Sequence, residues 1–350
     1  RAFTATLEVV AEEHGCGRLM WEYNKDLTRY GTPMSLMLIP LWTDGCVGSM
    51  EGLYFESSTT TPFHFLVQSE LSVGPSRAQR FLPYRGFTLE QGLDHLQQLG
   101  VPYYAAFSER PVREARAHPG YTEVANSGPW TIFLVADAAL VEGLGFEPAV
   151  YTDVEHGTWL DPAVEVFQAG SDAIPRTVGG PASWQRVASD EEPERRPLEP
   201  VVVSDIEAGV DRVSFSVDRI GVPVVVKVSY FPNWKVEGAD GPWRITPNLM
   251  VVVPTEESVT LVYGRTAVDV IAMLLTLVGL ASLVVLWRRR EPSWPMDAWY
   301  DVLESTPDAG AALDRWVDHR EASRNPPALP LPAEETSTPL EVGADPELPE

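Results

Sequence analysis

The sequence predicts an α+β fold: a small α/β unit, then a β-rich, sandwich-like extracytoplasmic domain, one transmembrane helix and a disordered acidic tail. Three observations predict it. Residues 88–135 switch between helical and strand spacing of apolar side chains. Residues 146–262 carry strand-length apolar runs broken by Gly, Pro and Asp, and residues 270–287 hold no charge at all. A chain of 350 residues has room for two globular units plus appendages, at about 150 residues per domain.

In chain order, residues 1–85 are aromatic and punctuated by proline, with apolar stretches such as MSLMLIPLW (Met34 to Trp42) too short to span a bilayer. They read as short helices and loops packed on a membrane-side surface. Residues 86–145 form the α/β unit. In TLEQGLDHLQQLG, Leu89, Leu93, Leu96 and Leu99 recur at helical spacing between Thr88 as a start and Gly100 as a stop. VPYYAAFS then reads as a buried strand, ERPVREARAH as a short basic helix, and YTEVANSGPWTIFLVA as two strands joined at Ser127-Gly128-Pro129. Residues 146–265 read as mostly β through EPAVYTDV, VEVFQA, DRVSFSVD and VPVVVKVSYF. The acid- and proline-rich ASDEEPERRPLEP (Ala188 to Pro200) reads as a mobile loop among them.

VIAMLLTLVGLASLVVLW (Val270 to Trp287) is followed at once by Arg288, Arg289 and Arg290. Extended back to Thr266 the segment covers about 33 Å at ~1.5 Å per residue, enough to cross a hydrocarbon core. A buried core helix seldom loses every polar position and then ends in three arginines. The positive-inside tendency puts residues 288–350 in the cytoplasm and residues 1–265 outside it. Asp269 falls at the outer end, where a carboxylate stays wetted. Residues 291–350 hold ten prolines and fourteen acids against three arginines. Met296 to Glu304 and Ala311 to Glu321 read as short amphipathic helices, and the remainder as disordered.

The formal charge of −24 argues against nucleic acid as a partner, since phosphate binding needs a basic face. The chain begins at Arg1 with no signal-peptide pattern and reads as a piece of something longer. The outward address gives meaning to the two cysteines, Cys16 and Cys46, because a disulfide is favoured outside the cytoplasm. Closing a loop of about thirty residues would contribute roughly 3 to 4.7 kcal/mol on the chain-entropy argument. No CxxC or HxxxH spacing points to a metal. Walker, GxGxxG and GxSxG motifs are all missing from the sequence.

VSYFPNWKVEGADGPWRITPNLMVVVPTEESVTLVYGRT (Val228 to Thr266), running straight into the apolar segment, resembles a recurrent ending of bacterial multipass membrane proteins. These are the YfhO-like proteins and their neighbours among GT-C-type glycosyltransferases, including the 6-pyruvoyl-tetrahydropterin-synthase-related membrane proteins, with actinobacterial ones most alike. Tyr230, Pro232, Trp234, Gly238, Pro242, Val251 to Pro254 and Tyr263 carry the likeness. HLQQLGVPYYAAFS (His95 to Ser108) resembles the "LGVRYY" element of their outer domain. The resemblance spans residues 15–287. It implies an outer region at a bacterial plasma membrane, following an upstream bundle of helices, that shapes the acceptor side of a polyprenyl-phosphate-sugar transfer site. A divalent metal and the lipid-linked sugar would belong to the whole protein, and this piece would hold no cofactor and would not catalyse alone. The partners implied are membrane lipid, the upstream bundle and a glycan acceptor. The alternative is a non-enzymatic envelope protein, with a glycan- or protein-binding β domain and an acidic tail that recruits cytoplasmic proteins.

No catalytic residue is assigned. The acceptor- or sugar-binding candidates are Glu22, Asp44, Glu51, Tyr54, Glu56, His64 and Trp234. The carboxylates are the groups that could take an acceptor's proton, and each could equally be structurally paired. Glu51 and Glu56 diverge by about 140° on a helix and face opposite sides of a strand. Glu22 and Arg18 have the spacing of a helical ion pair. His64, between Phe63 and Phe65, reads as a packed residue or a proton shuttle. The run Ser57 to Thr61 reads as a hydroxyl-rich contact or as a turn bonded to its own backbone before Pro62. Tyr54 offers a stacking face, and Trp234 a carbohydrate platform or a core anchor.

Overall fold

The computed structural model describes residues 2–32, 34–51 and 59–288, the Tyr30 side chain excepted. Among the described residues the chain is mixed α+β with three sheets and one long apolar helix near the C-terminus. It divides after Asp269 into two units.

The first sheet has β1 (Gly17–Trp21), β2 (Val47–Ser49), β3 (Tyr103–Ala106), β4 (Tyr121–Ser127) and β5 (Trp130–Val135), in the order β2-β1-β3-β5-β4. β2, β1 and β3 run parallel, and β5 is antiparallel to both β3 and β4. Helix α1 (Ala2–His14) covers one face with Leu7, Val10 and Ala11, against Leu19, Trp21 and Ile132. The short α2 (Ile39–Trp42) leads into β2. The other face receives α3 (Thr61–Leu71) and α4 (Leu89–Leu99), while α5 (Glu109–Ala117) links β3 to β4. Residues 1–85, read as helices and loops, thus give two strands to this sheet. GRLMW and VGS are too short for an alternation to be seen, and parallel pairing hides it further by burying both faces.

Cys16 and Cys46 form a disulfide, with Cα atoms 4.7 Å apart. It closes the end at which β1 and β2 pair, beside the Gly17↔Val47 register. Arg18 and Glu22 form no helical ion pair, because they lie on β1 and just past its end. Arg18 donates to the carbonyls of Leu99, Gly100 and Lys227, and Lys227 Nζ donates to the carbonyl of Gln97 at 2.7 Å. Two cations therefore satisfy the C-terminal carbonyls of α4, where the helix dipole is negative. Gly100 ends α4 in the left-handed region at φ +62°, and a Cβ there would meet Lys227 and the carbonyl of Ala139.

The β-rich part has β6 (Val141–Gly143), β7 (Ala149–Tyr151), α6 (Leu160–Ala169), β8 (Arg176–Val178), β9 (Arg186–Val187), β10 (Val203–Ala208), β11 (Arg212–Val217), β12 (Val224–Val226), β13 (Trp234–Glu237), β14 (Ala239–Ile245), β15 (Leu249–Pro254) and β16 (Ser258–Tyr263). One sheet is ordered β10-β11-β16-β13 and the other β6-β12-β15-β14-β8-β7-β9. Between them lie Val213, Phe215, Val224, Trp234, Val252 and Leu261. VEVFQA is helix, not strand: Ala163, Val164 and Phe167 share a buried stripe at spacings of three and four, with Pro162 in the first turn. The loop Ala188 to Pro200 is tied down through Ser189 to Asp153, Glu194 to Gln185 and Arg196 to Glu147. A second apolar core runs from Met20, Phe63 and Leu96 through Trp159 and Phe167 to Val225, Ile245 and Val251. It joins the first sheet, α3, α4 and the β-rich part.

Helix α7 (Ala267–Arg288) has 22 residues, none buried, and is long and apolar enough to cross a membrane. Arg289, Arg290 and the tail, with the helices expected at Met296 to Glu304 and Ala311 to Glu321, lie outside the described residues.

Candidate ligand-binding site

Helix α3 starts where the hydroxyl run ends. Pro62 sits in its first turn, where the missing N–H costs nothing, and all eleven residues from Thr61 to Leu71 are buried. Thr59 and Thr60, just before the helix, both accept from the Asn248 side-chain amide at 2.8 Å. Thr60 Oγ1 also lies 2.8 Å from Ser229 Oγ. Thr59 and Thr60 are thus bonded beyond their own backbone, and tether the start of α3 to the turn between β14 and β15.

Asn248 in turn accepts from Arg244 Nε at 2.7 Å through Oδ1. Arg244 lies on β14 and is only 5% exposed. Its Nη1 donates to the carbonyl of His156 at 3.3 Å, and its guanidinium carbon stands 4.6 Å from the centroid of Trp159. The Trp159 indole N–H is held by the carbonyl of Pro247 at 2.7 Å, and His156 stacks on Tyr230. Burial pushes the Arg244 guanidinium down to about 10, so it stays charged at neutral pH. Burial first, opposed by Arg244, raises the Tyr230 phenol. Among the described residues no carboxylate lies within ion-pair distance of Arg244.

Of these groups Thr59, Pro62, His156, Trp159 and Arg244 wall a cavity of about 530 Å³, also lined by Gln79, Arg80, Phe81, Leu82, Gly157 and Leu160. Four segments far apart in the chain converge there: 59–62, 79–82, 156–160 and Arg244. Phe81 is fully exposed at its edge. Among the described residues the lining contains two arginines, the Thr59 hydroxyl, the Gln79 amide and aromatic side chains, and no carboxylate. Such a site can hold a polar ligand.

Those of the residues singled out from sequence that are described fall elsewhere. Glu22 is fully buried, and its Oε2 accepts from the backbone N–H groups of Phe107 and Ser108, both at 2.7 Å, at the start of α5. Asp44 is exposed in a turn at φ +48°. Glu51 and His64 do come together, 3.3 Å apart, with Gln68 bridging both at 3.3 Å and accepting from Ser76. That buried knot opens into none of the cavities described here. A second such pair on α3 is Glu70 with His95, 2.6 Å apart, the imidazole stacked on Phe167. Trp234 is a core anchor between the two sheets, edge-on to Tyr263. Tyr54 and Glu56 lie outside the described residues.

Arg244, Asn248, His156 and Trp159 were not among the sequence candidates. The one signal was Arg244 itself, a charge between Trp243 and Ile245 in a strand-like run. Among the described residues, no group of three or more His, Cys, Asp or Glu could hold a metal ion. No family model, curated protein or solved structure matches the chain.

Proposed function

We propose that this chain is the outward-facing, ligand-holding part of a membrane-tethered bacterial envelope protein, and that the Arg244 cavity holds a saccharide. The observation that carries the reading is the convergence of four distant segments on one cavity with polar walls and an exposed aromatic edge. The disulfide supports an address outside the cytoplasm, and α7 supports a tether. The likeness of Val228 to Thr266 to GT-C-type proteins makes the saccharide a glycan acceptor or a lipid-linked sugar. In this reading the module positions its ligand, and the chemistry belongs to the upstream part of such a protein.

Phe81 is the direct handle, because an exposed ring at a cavity edge can stack on a sugar face without any part in folding. Full-length chain in detergent micelles, titrated with neutral and acidic envelope oligosaccharides, is expected to bind at least one. Phe81→Ala should weaken that binding by roughly 0.5–1.5 kcal/mol with an unchanged melting curve. Absence of any saccharide binding, or equal binding by Phe81→Ala, would count against the reading.

A further inference from the structure

We propose that the Arg244 cavity contains an oxyanion subsite, which takes a carboxylate or phosphate group of the bound ligand. This deepens the saccharide-holding reading and rests on it for the identity of the larger ligand. A guanidinium that is 5% exposed and has no acidic partner among the described residues is an expensive group to keep, because a buried charge is normally paired or neutralised. Among the described residues only Nε and Nη1 have partners, Asn248 Oδ1 at 2.7 Å and the His156 carbonyl at 3.3 Å, and both are neutral. The Trp159 face, 4.6 Å away, fixes the plane of the fork without neutralising it.

The surroundings favour an anion as the missing counter-charge. Arg80 supplies a second cation to the lining, and Gln79 and Thr59 supply short-range polar groups. The cavity also abuts the start of α3, an eleven-residue helix whose dipole is positive at that end, although Pro62 removes one donor. Of the groups facing Arg244, Tyr230 is a phenol and His156 presents its backbone carbonyl, so neither provides a fixed negative charge. Asn248 fixes the fork from behind through its hydrogen bonds to Thr59 and Thr60, so the guanidinium is already oriented before a ligand arrives. A planar fork suits carboxylate or phosphate, which accept two parallel N–H bonds.

The test uses the full-length chain in micelles and three probes: inorganic phosphate, glucuronate and glucose. Saturable binding of phosphate or glucuronate at constant ionic strength is expected, with whichever binds more tightly naming the chemistry. Arg244→Gln should lose at least tenfold in that affinity, while Arg244→Lys, a point charge without the fork, should keep part of it. Should Arg244→Gln fail to fold, the lysine variant against the native chain still decides, since equal affinity there would remove the fork from the argument. Equal affinity in Arg244→Gln would overturn the proposal. So would phosphate binding that is absent from the native chain and appears in Glu56→Gln, three residues before Thr59, because the counter-charge would then be internal. Neutral saccharide bound with no oxyanion effect would end the subsite and leave the saccharide reading intact. Oxyanion binding without any saccharide affinity would do the reverse.

Discussion

A buried polar side chain states its role through its partners. Glu22 was a candidate as a carboxylate that could take an acceptor's proton, yet its Oε2 is engaged by two backbone donors at the head of α5. Glu22→Gln should therefore destabilise the fold by about 1–3 kcal/mol, the cost of disturbing a buried charge-assisted acceptor, and leave saccharide affinity unchanged. Thermal unfolding together with ligand titration checks this. Native stability with lost binding would return Glu22 to the site. His64 and Glu51 are similarly engaged with each other and with Gln68. Arg244 is the opposite case, with only neutral partners among the described residues. From sequence, the structural reading of Glu22 rested on a four-residue spacing to Arg18 that has meaning only on a helix, whereas Arg244 was hidden because a single arginine in a strand is usually a solvated one. Local spacing carries no information about which neutral groups a distant turn will bring to it.

At the scale of elements, legibility followed length and continuity. α4 was readable because four leucines repeat over three turns and Gly100 ends them, and β3 followed because YYAA is continuous and buried. β1 and β2 were missed because five and three residues cannot display a period, and α6 was misread because VEVFQA alternates over its first few positions. The parallel pairing of β1 with β2 crosses a loop that the Cys16–Cys46 bond also closes, so the disulfide and the sheet edge support one another. Replacing both cysteines by serine should cost about 3 kcal/mol by the loop-entropy argument, a fall of roughly 6–12 °C in melting temperature for a unit of this size. Differential scanning calorimetry of the variant measures it. An unchanged transition would mean that the strand pairing alone holds that edge.

For the whole molecule, the broad plan was legible: mixed α+β with a strand-rich second half, a disulfide, and an apolar helix near the C-terminus. What composition could not convey is the continuous core that passes from the first sheet through α3 and α4 to Trp159 and Val251. Such a core arises from long-range register, and no local window contains it. That continuity explains why the cavity draws its walls from residues as distant in sequence as Thr59 and Arg244.

The proposed function requires that residues 1–265 face outward. Cysteine labelling on intact cells tests it most directly, because the native pair is already joined and gives no background. With Val210→Cys, a wholly exposed position, a membrane-impermeant maleimide should react in intact cells. With Ala311→Cys in the tail it should react only after permeabilisation. Labelling of the tail position in intact cells, with the Val210 position protected until lysis, would contradict the account.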